Sequence, residues 1–174
     1  MSRRFTVWQP ALSTAARLFL AAVFVWAGWP KLLDPAGTVR SVRAFRLLPE
    51  AVVPAFGHLL PVVELAIAVL LVLGLLTRWA ALATAGLMVM FLFGIAMAWA
   101  RGLAIECGCF GNTGSLVVDP VPGYVRDILR DTAFLAAALF LARWPRGLLD
   151  ADRLLGLVPA ESPAEEQAEV PAGS

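Results

Sequence analysis

The sequence predicts an all-α integral membrane protein: a four-helix bundle with an interfacial amphipathic helix after the first span and a disordered C-terminal tail. Of its 174 residues, 60% are hydrophobic and only 16% are charged, whereas soluble domains have about 45–50% apolar and about 25% charged residues. Its apolar runs approach or exceed the roughly 20 residues that a helix needs to cross a bilayer. A formal net charge of +1 argues against a nucleic-acid partner, which requires a basic excess on one face.

Four apolar segments are predicted to cross the membrane. The first is interpreted as an uncleaved span rather than a secretory signal, because no small-x-small cleavage site follows it. Only Thr77 and Arg78 separate the second and third spans, so these two helices should be antiparallel neighbours. The fourth must carry Arg130 and Asp131 into the bundle or to its rim. The predicted spans are 11–29, 52–76, 79–100 and 124–144.

The connection after the first span has a different pattern. Arg40, Arg43 and Arg46 recur every third residue, with apolar residues between them. This spacing predicts an amphipathic helix at the membrane surface, its arginines toward the headgroups and its apolar side toward the acyl chains. Residues 1–150 thus form the membrane domain. Residues 151–174 form a short interfacial piece and an acidic tail that cannot bury enough apolar surface to fold.

The orientation of the bundle follows from its first helix. Four spans place both termini on one side, and Arg3 and Arg4 ahead of the first span favour a cytoplasmic N-terminus in the cell membrane. The loop that contains the cysteines is then extracytoplasmic, where disulfides persist. Aromatic residues at the two sets of helix ends are predicted to form interfacial belts. They are Trp8, Trp79 and Trp144 at one end and Trp29, Trp99 and Tyr124 at the other.

Glu64 is the charged residue of most interest within the spans. A carboxylate inside an apolar helix is costly and is expected to face the bundle interior. It could act as a proton relay during thiol oxidation, bind a quinone through a hydrogen bond, or form a buried ion pair with Arg17 or Arg130. Arg17 could instead extend its long side chain to the headgroups. No function is assigned to Lys31, the single lysine.

The only two cysteines, Cys107 and Cys109, are separated by Gly108. A disulfide across one residue needs an unusual backbone, which a glycine turn permits. Such a strained ring is easily reduced, which is typical of catalytic disulfides. Two thiolates could alternatively hold Cu(I), or the pair could be inert small side chains. A zinc site is disfavoured, because His58 is the only histidine and there are no further cysteines.

Four short runs carry a family resemblance: Ala27 to Leu32, Pro61 to Glu64, Gly74 to Arg78, and Cys107 to Gly111. Together they resemble the MauE branch of the DoxX-like membrane proteins. The resemblance implies a redox-associated membrane protein that works beside a thioredoxin-fold or DsbA-like partner, as in methylamine utilisation, where many disulfides must form. Vitamin K epoxide reductase and DsbB, which are similar in architecture, pass electrons from thiols to quinone. They use two cysteine pairs, so here a partner would supply the second pair.

The leading hypothesis is therefore a thiol–disulfide oxidoreductase. Its redox pair would be Cys107 and Cys109, with Gly108 as the turn and quinone as the candidate cofactor; no resident metal is assigned. Two other hypotheses stay open: a non-enzymatic membrane anchor or assembly subunit of a redox complex, and a carrier of Cu(I) or another soft metal.

Overall fold

The computed structural model describes residues 3–105, 119–145 and 147. Within these residues the protein is entirely helical apart from turns and short connections, which confirms the all-α prediction for this part of the chain. The expected disorder of residues 151–174 concerns a segment outside the described residues. The helices are α1 (Arg3–Leu33), α2 (Pro35–Ala44), α3 (Val53–Leu73), α4 (Thr77–Ala100) and α5 (Val121–Arg143).

Helix α1 is longer at both ends than the predicted span of 11–29. It contains Pro10 and Pro30, each of which removes one backbone donor and leaves the carbonyl four residues earlier without its usual partner. The helix nevertheless continues through Pro30 to Leu33. As a consequence, Lys31 belongs to the helix and not to the connection that follows it.

Helix α2 begins with a cap that its sequence encodes. The side chain of Asp34 accepts a hydrogen bond from the backbone N–H of Gly37 at 2.8 Å, and Pro35 occupies the first helical position, where no backbone donor is needed. The amphipathic helix is confirmed, but it ends at Ala44, and Arg46 has a positive φ of 51°. Arg46, the third arginine of the pattern, therefore lies outside the helix.

The apolar side of α2 packs on α3, which corrects the expectation that it would face acyl chains. Val39 is 9% exposed. A Cβ added to Gly57 would lie 2.7 Å from Val39 Cγ2 and 2.9 Å from Val39 Cα, so the backbones of α2 and α3 approach each other as closely as glycine permits. The outer side carries Arg40 and Arg43, which are 56% and 48% exposed.

Helices α3 and α4 are joined by residues 74–76. Gly74 ends α3 in the left-handed conformation at φ 67°, and Leu76 has φ 48°. The N–H of Leu75 reaches back to the carbonyl of Leu70 at 3.1 Å, as in a glycine-terminated helix end. The two helices pack on each other along the chain reversal, which confirms that they are neighbours.

Three described helices are long and apolar enough to cross a membrane: α1 from Trp8 to Leu33, α3 and α4. Helix α5 has 23 residues, enough for about 34 Å at 1.5 Å per residue, but it carries five charged side chains. A fourth membrane crossing therefore stays a prediction, as do the sides on which the termini lie.

The helices enclose a core of mostly small and aliphatic side chains. Helix α1 packs on α3 and α5, and α4 packs on α5 and α3; Leu20, Leu71 and Leu141 are completely buried between them. Large apolar side chains also cover the outside, with Trp26 72% exposed and Trp79 68% exposed. An apolar exterior of this extent indicates a lipid-facing surface rather than a water-facing one.

Candidate functional site

The centre of the site is an ion pair between α1 and α3. Lys31 Nζ donates a hydrogen bond to Glu64 Oε1 at 2.5 Å, and the side chains of Lys31 and Glu64 are 5% and 0% exposed. The ammonium also lies 5.5 Å from the centre of the Phe91 ring, on α4, close enough for a cation–π attraction. Three helices thus contribute to one buried charged centre.

Gly28 allows this pair to form. A Cβ at Gly28 would lie 3.1 Å from Leu65 Cγ and 3.3 Å from Glu64 Cβ. Because residues three apart lie on the same side of a helix, the close approach at Gly28 places Lys31 beside Glu64. The small residue one turn before the single lysine was the signal in the sequence that could have identified this pair.

The partner predicted for Glu64 was wrong. Arg17 lies about 21 Å from Lys31 along α1, at about 1.5 Å per residue. It is 2% exposed, so it does not extend into the headgroups either. Arg130 instead pairs on its own helix, with Asp127 at 2.8 Å and with Asp131 at 2.9 Å. The role of Glu64 as a proton relay stays a prediction.

A second carboxylate lies beside the pair. Glu64 and Asp131 line the same small cavity of about 10 Å³, and Asp131 is 2% exposed. Within the described part of the chain, neither Glu64 Oε2 nor Asp131 Oδ2 has a hydrogen-bond partner. A cavity of this volume is close to the minimum for one water molecule, which could satisfy both oxygens.

At the membrane-surface side of α2, a different pair is exposed to solvent. Arg43 Nε donates to Glu50 Oε1 at 2.8 Å, and this hydrogen bond holds the pKa of Glu50 below its ordinary value. The imidazole of His58 is likewise exposed, and its Nδ1 donates to the Pro54 carbonyl at 2.6 Å. Among the described residues, no group of three or more histidine, cysteine, aspartate or glutamate side chains could hold a metal ion.

Cys107 and Cys109, the predicted redox pair, lie outside the described residues, as does Gly108 between them. The chain that leads to them is anchored on α5 by Tyr124. The Tyr124 hydroxyl donates to the carbonyl of Leu103 at 2.5 Å and accepts from the N–H of Ile105 at 3.3 Å. The cysteine-containing segment therefore starts from a point that is held against the helix to which it returns.

Tyr124 also corrects the prediction of an aromatic belt. The side chain is 2% exposed and packs in a cluster with Ile95, Ala98 and Ile105, while Trp99, at the same end of the bundle, is 43% exposed. Tyr124 is thus a buried anchor for the segment before the cysteines. Its position near a helix end did not distinguish this role from that of an aromatic residue at the membrane surface.

Replacing Tyr124 with Phe tests this anchor. The change keeps the ring but leaves the Leu103 carbonyl and the Ile105 N–H without their partner, so we expect a loss of about 1 kcal/mol in the free energy of unfolding and faster alkylation of Cys107 and Cys109. Both are measured on purified protein in nanodiscs. Thr84→Val is the matched control, because the buried Thr84 hydroxyl bonds only to Ala80 O of its own helix among the described contacts. Equal alkylation rates in the two variants would contradict the anchor.

These features define a class: a helical membrane protein with a buried lysine–glutamate pair and a polar cysteine-containing segment between its last two described helices. Residues 9–143 match the family described as "Methylamine utilisation protein MauE". The match covers well over half of the chain, and the protein belongs to the MauE family. The resemblance inferred from the four short runs is thereby confirmed.

Individual relatives support this assignment. The methylamine utilization protein MauE of Paracoccus denitrificans is 38% identical over 135 residues, which are 77% of this chain and 70% of the relative. That of Paracoccus versutus is 38% identical over 82% of this chain and 77% of the relative. That of Methylorubrum extorquens is 44% identical over 60% of this chain, but the match spans only 56% of the relative. No solved structure matches the chain.

Proposed function

We propose that this protein is a membrane thiol–disulfide redox protein whose Cys107 and Cys109 exchange electrons with a thioredoxin-fold partner. The observation that carries the proposal is the spacing of the two cysteines, the only ones in the chain, across a single glycine. The anchoring of Leu103 and Ile105 by Tyr124 supports it, because a cysteine pair that must meet a partner benefits from a fixed starting point.

The exchange proceeds through a mixed disulfide. One cysteine, as its thiolate, attacks a sulfur of the partner's disulfide and releases one partner thiolate; the second cysteine then attacks the mixed disulfide and releases the other. The Cys107–Cys109 disulfide forms, the partner's disulfide becomes a dithiol, and two electrons pass to the partner. In the reverse sequence the partner's dithiol reduces the Cys107–Cys109 disulfide and is itself oxidised, which is the direction that disulfide formation in exported proteins requires. The relative reduction potentials set the direction.

The physiological role we propose is support of disulfide formation in exported proteins during methylamine utilisation. The relatives carry that pathway in their names, and we extend it to this chain as an accessory role. In this proposal the cysteines face the extracytoplasmic side, where an oxidised pair persists.

The experiment uses the fact that every thiol signal in the protein comes from this pair. We expect thiol alkylation in intact membranes to show that Cys107 and Cys109 form a disulfide in a fraction of the protein. This fraction should fall when a reductant is added. Cys107→Ser and Cys109→Ser should each prevent the Cys107–Cys109 disulfide from forming. The variant that keeps the attacking cysteine should accumulate a reductant-sensitive covalent complex with the partner. Ser115→Ala, in the same polar segment, is the control and should behave as wild type.

Three results would count against the redox role. Cysteines that stay fully reduced and never form a mixed disulfide would exclude exchange. If the double variant Cys107→Ser, Cys109→Ser retained normal disulfide content in exported proteins, the cysteine pair would be dispensable. If instead it lowered only the abundance of a partner complex, the protein would be an assembly subunit, the main rival hypothesis.

A further inference from the structure

A second cavity, far larger than the one beside Asp131, lies between α2, α3 and α4. Its volume is about 430 Å³, within the range of small-molecule sites. Most of its wall is apolar and includes Phe45, Phe56, Leu60 and Phe93. Phe93 is 59% exposed, so the cavity reaches the outer surface of α4. This surface is part of the apolar exterior that faces lipid. A ligand would therefore enter from the membrane.

One end of this cavity is polar. Lys31, Thr38 and Ser41 contribute to its lining, and all three are at least nine-tenths buried. The Thr38 hydroxyl lies within hydrogen-bond distance of the Lys31 and Asp34 carbonyls, and the Ser41 hydroxyl donates to the Gly37 carbonyl at 3.1 Å. Their protons are thus directed at the backbone, and Lys31 is the donor that can serve a ligand.

The Lys31 ammonium has three N–H bonds, and its one hydrogen bond among the described residues goes to Glu64 Oε1. The ligand's head should therefore accept a hydrogen bond. It should also be neutral, because Glu64, 2.5 Å from the ammonium, already balances the charge and would repel a phosphate or a carboxylate. A ligand that meets these conditions has a carbonyl group attached to a flat or flexible apolar moiety.

We propose that this cavity binds a lipid-soluble quinone, with one ring carbonyl accepting a hydrogen bond from Lys31. The choice of quinone among neutral carbonyl lipids rests on the proposed function. Oxidation of Cys107 and Cys109 from dithiol to disulfide releases two electrons and two protons, and a quinone takes up both to become a hydroquinone. The cavity wall also comes close to the described residue that precedes the cysteines by two positions, because Phe45 lines the cavity and packs against the cluster that contains Ile105.

Gly94 offers a way to close the cavity without touching its polar end. A Cβ at Gly94 would meet the Phe45 ring at 3.7 Å, an ordinary contact, so the larger side chain of Gly94→Leu should extend into the cavity. Leucine also favours the helix over glycine. Gly86→Leu is the matched control on the same helix, since a Cβ at Gly86 meets nothing within 4 Å.

The test measures binding of decylubiquinone to the full-length protein in nanodiscs, and separately its reduction by the dithiol form. We expect Gly94→Leu to weaken binding at least about tenfold, which corresponds to about 1.4 kcal/mol, while Gly86→Leu and the Cys107→Ser, Cys109→Ser double variant bind as wild type. Hydroquinone should form with wild type and not with the double variant.

The remaining outcomes separate the two proposals. If Gly94→Leu binds as well as Gly86→Leu, or if decanol or phosphatidylglycerol displaces the quinone at equal concentration, the cavity is an acyl-chain site and this inference is wrong. If the quinone binds at the cavity but the cysteines neither reduce it nor exchange with a thiol partner, the binding site stands and the proposed function fails. Thiol exchange without quinone binding would overturn only the inference.

Discussion

Replacing Lys31 with Met should lower the free energy of unfolding by about 3–5 kcal/mol, because it leaves the Glu64 carboxylate buried without a cation. Glu64 is completely buried and pairs with Lys31 at 2.5 Å, and its other oxygen has no hydrogen-bond partner among the described residues. Unfolding in a titration with sodium dodecyl sulfate, followed by circular dichroism, measures the loss.

The double variant Lys31→Met, Glu64→Leu distinguishes a lost ion pair from a packing defect. Removing both charges eliminates the uncompensated carboxylate, so the double variant should recover most of the stability lost in Lys31→Met. Arg43→Gln breaks the exposed pair with Glu50 and should leave the unfolding midpoint nearly unchanged, because exposed pairs contribute little. A double variant no more stable than Lys31→Met would show that Lys31 acts through packing alone.

Gly57→Ala is expected to have the second-largest effect, a loss of about 1–3 kcal/mol from overpacking. The added methyl would lie 2.7 Å from Val39 Cγ2 and 2.9 Å from Val39 Cα, so α2 would have to move away from α3. Alanine favours a helix over glycine by about 1 kcal/mol, which is why the net loss is moderate. The same detergent titration measures it.

Gly86→Ala is the control for helix propensity, because a Cβ there meets nothing within 4 Å; it should be neutral or slightly stabilising. Val39→Ala added to Gly57→Ala removes the contact with Cγ2 but not the contact with the backbone Cα, so it should restore only part of the loss. If Gly57→Ala were as stable as Gly86→Ala, close packing of α2 on α3 would be ruled out.

The buried carboxylate of Glu64 shows how much of the site could be predicted from the sequence. A glutamate in an apolar helix was enough to predict that Glu64 faces inward and is paired, since an isolated charge in lipid is too costly. It was not enough to choose the partner. No function was assigned to Lys31, and the predicted first span ended at Trp29, whereas the helix continues through Pro30 to Leu33 and includes Lys31.

Tyr124 shows the same limit for aromatic residues. Its position near a helix end is typical of both a membrane-surface belt and a buried anchor. Only the three-dimensional neighbours of Tyr124 decide between these roles. Its hydroxyl forms hydrogen bonds with the backbone of Leu103 and Ile105, which are distant from Tyr124 in the sequence.

By itself the sequence determined the class of this protein: an apolar, helical chain of the MauE family with one closely spaced cysteine pair. Composition and hydrophobic length suffice for that, because the cost of exposing backbone and charge to lipid restricts a segment to a helix regardless of its neighbours. The tertiary structure alone decided that Lys31 pairs with Glu64 and that α2 covers α3 beside a cavity of about 430 Å³. Those features depend on how closely helices approach at Gly28 and Gly57, and such distances between segments are not encoded in any local pattern.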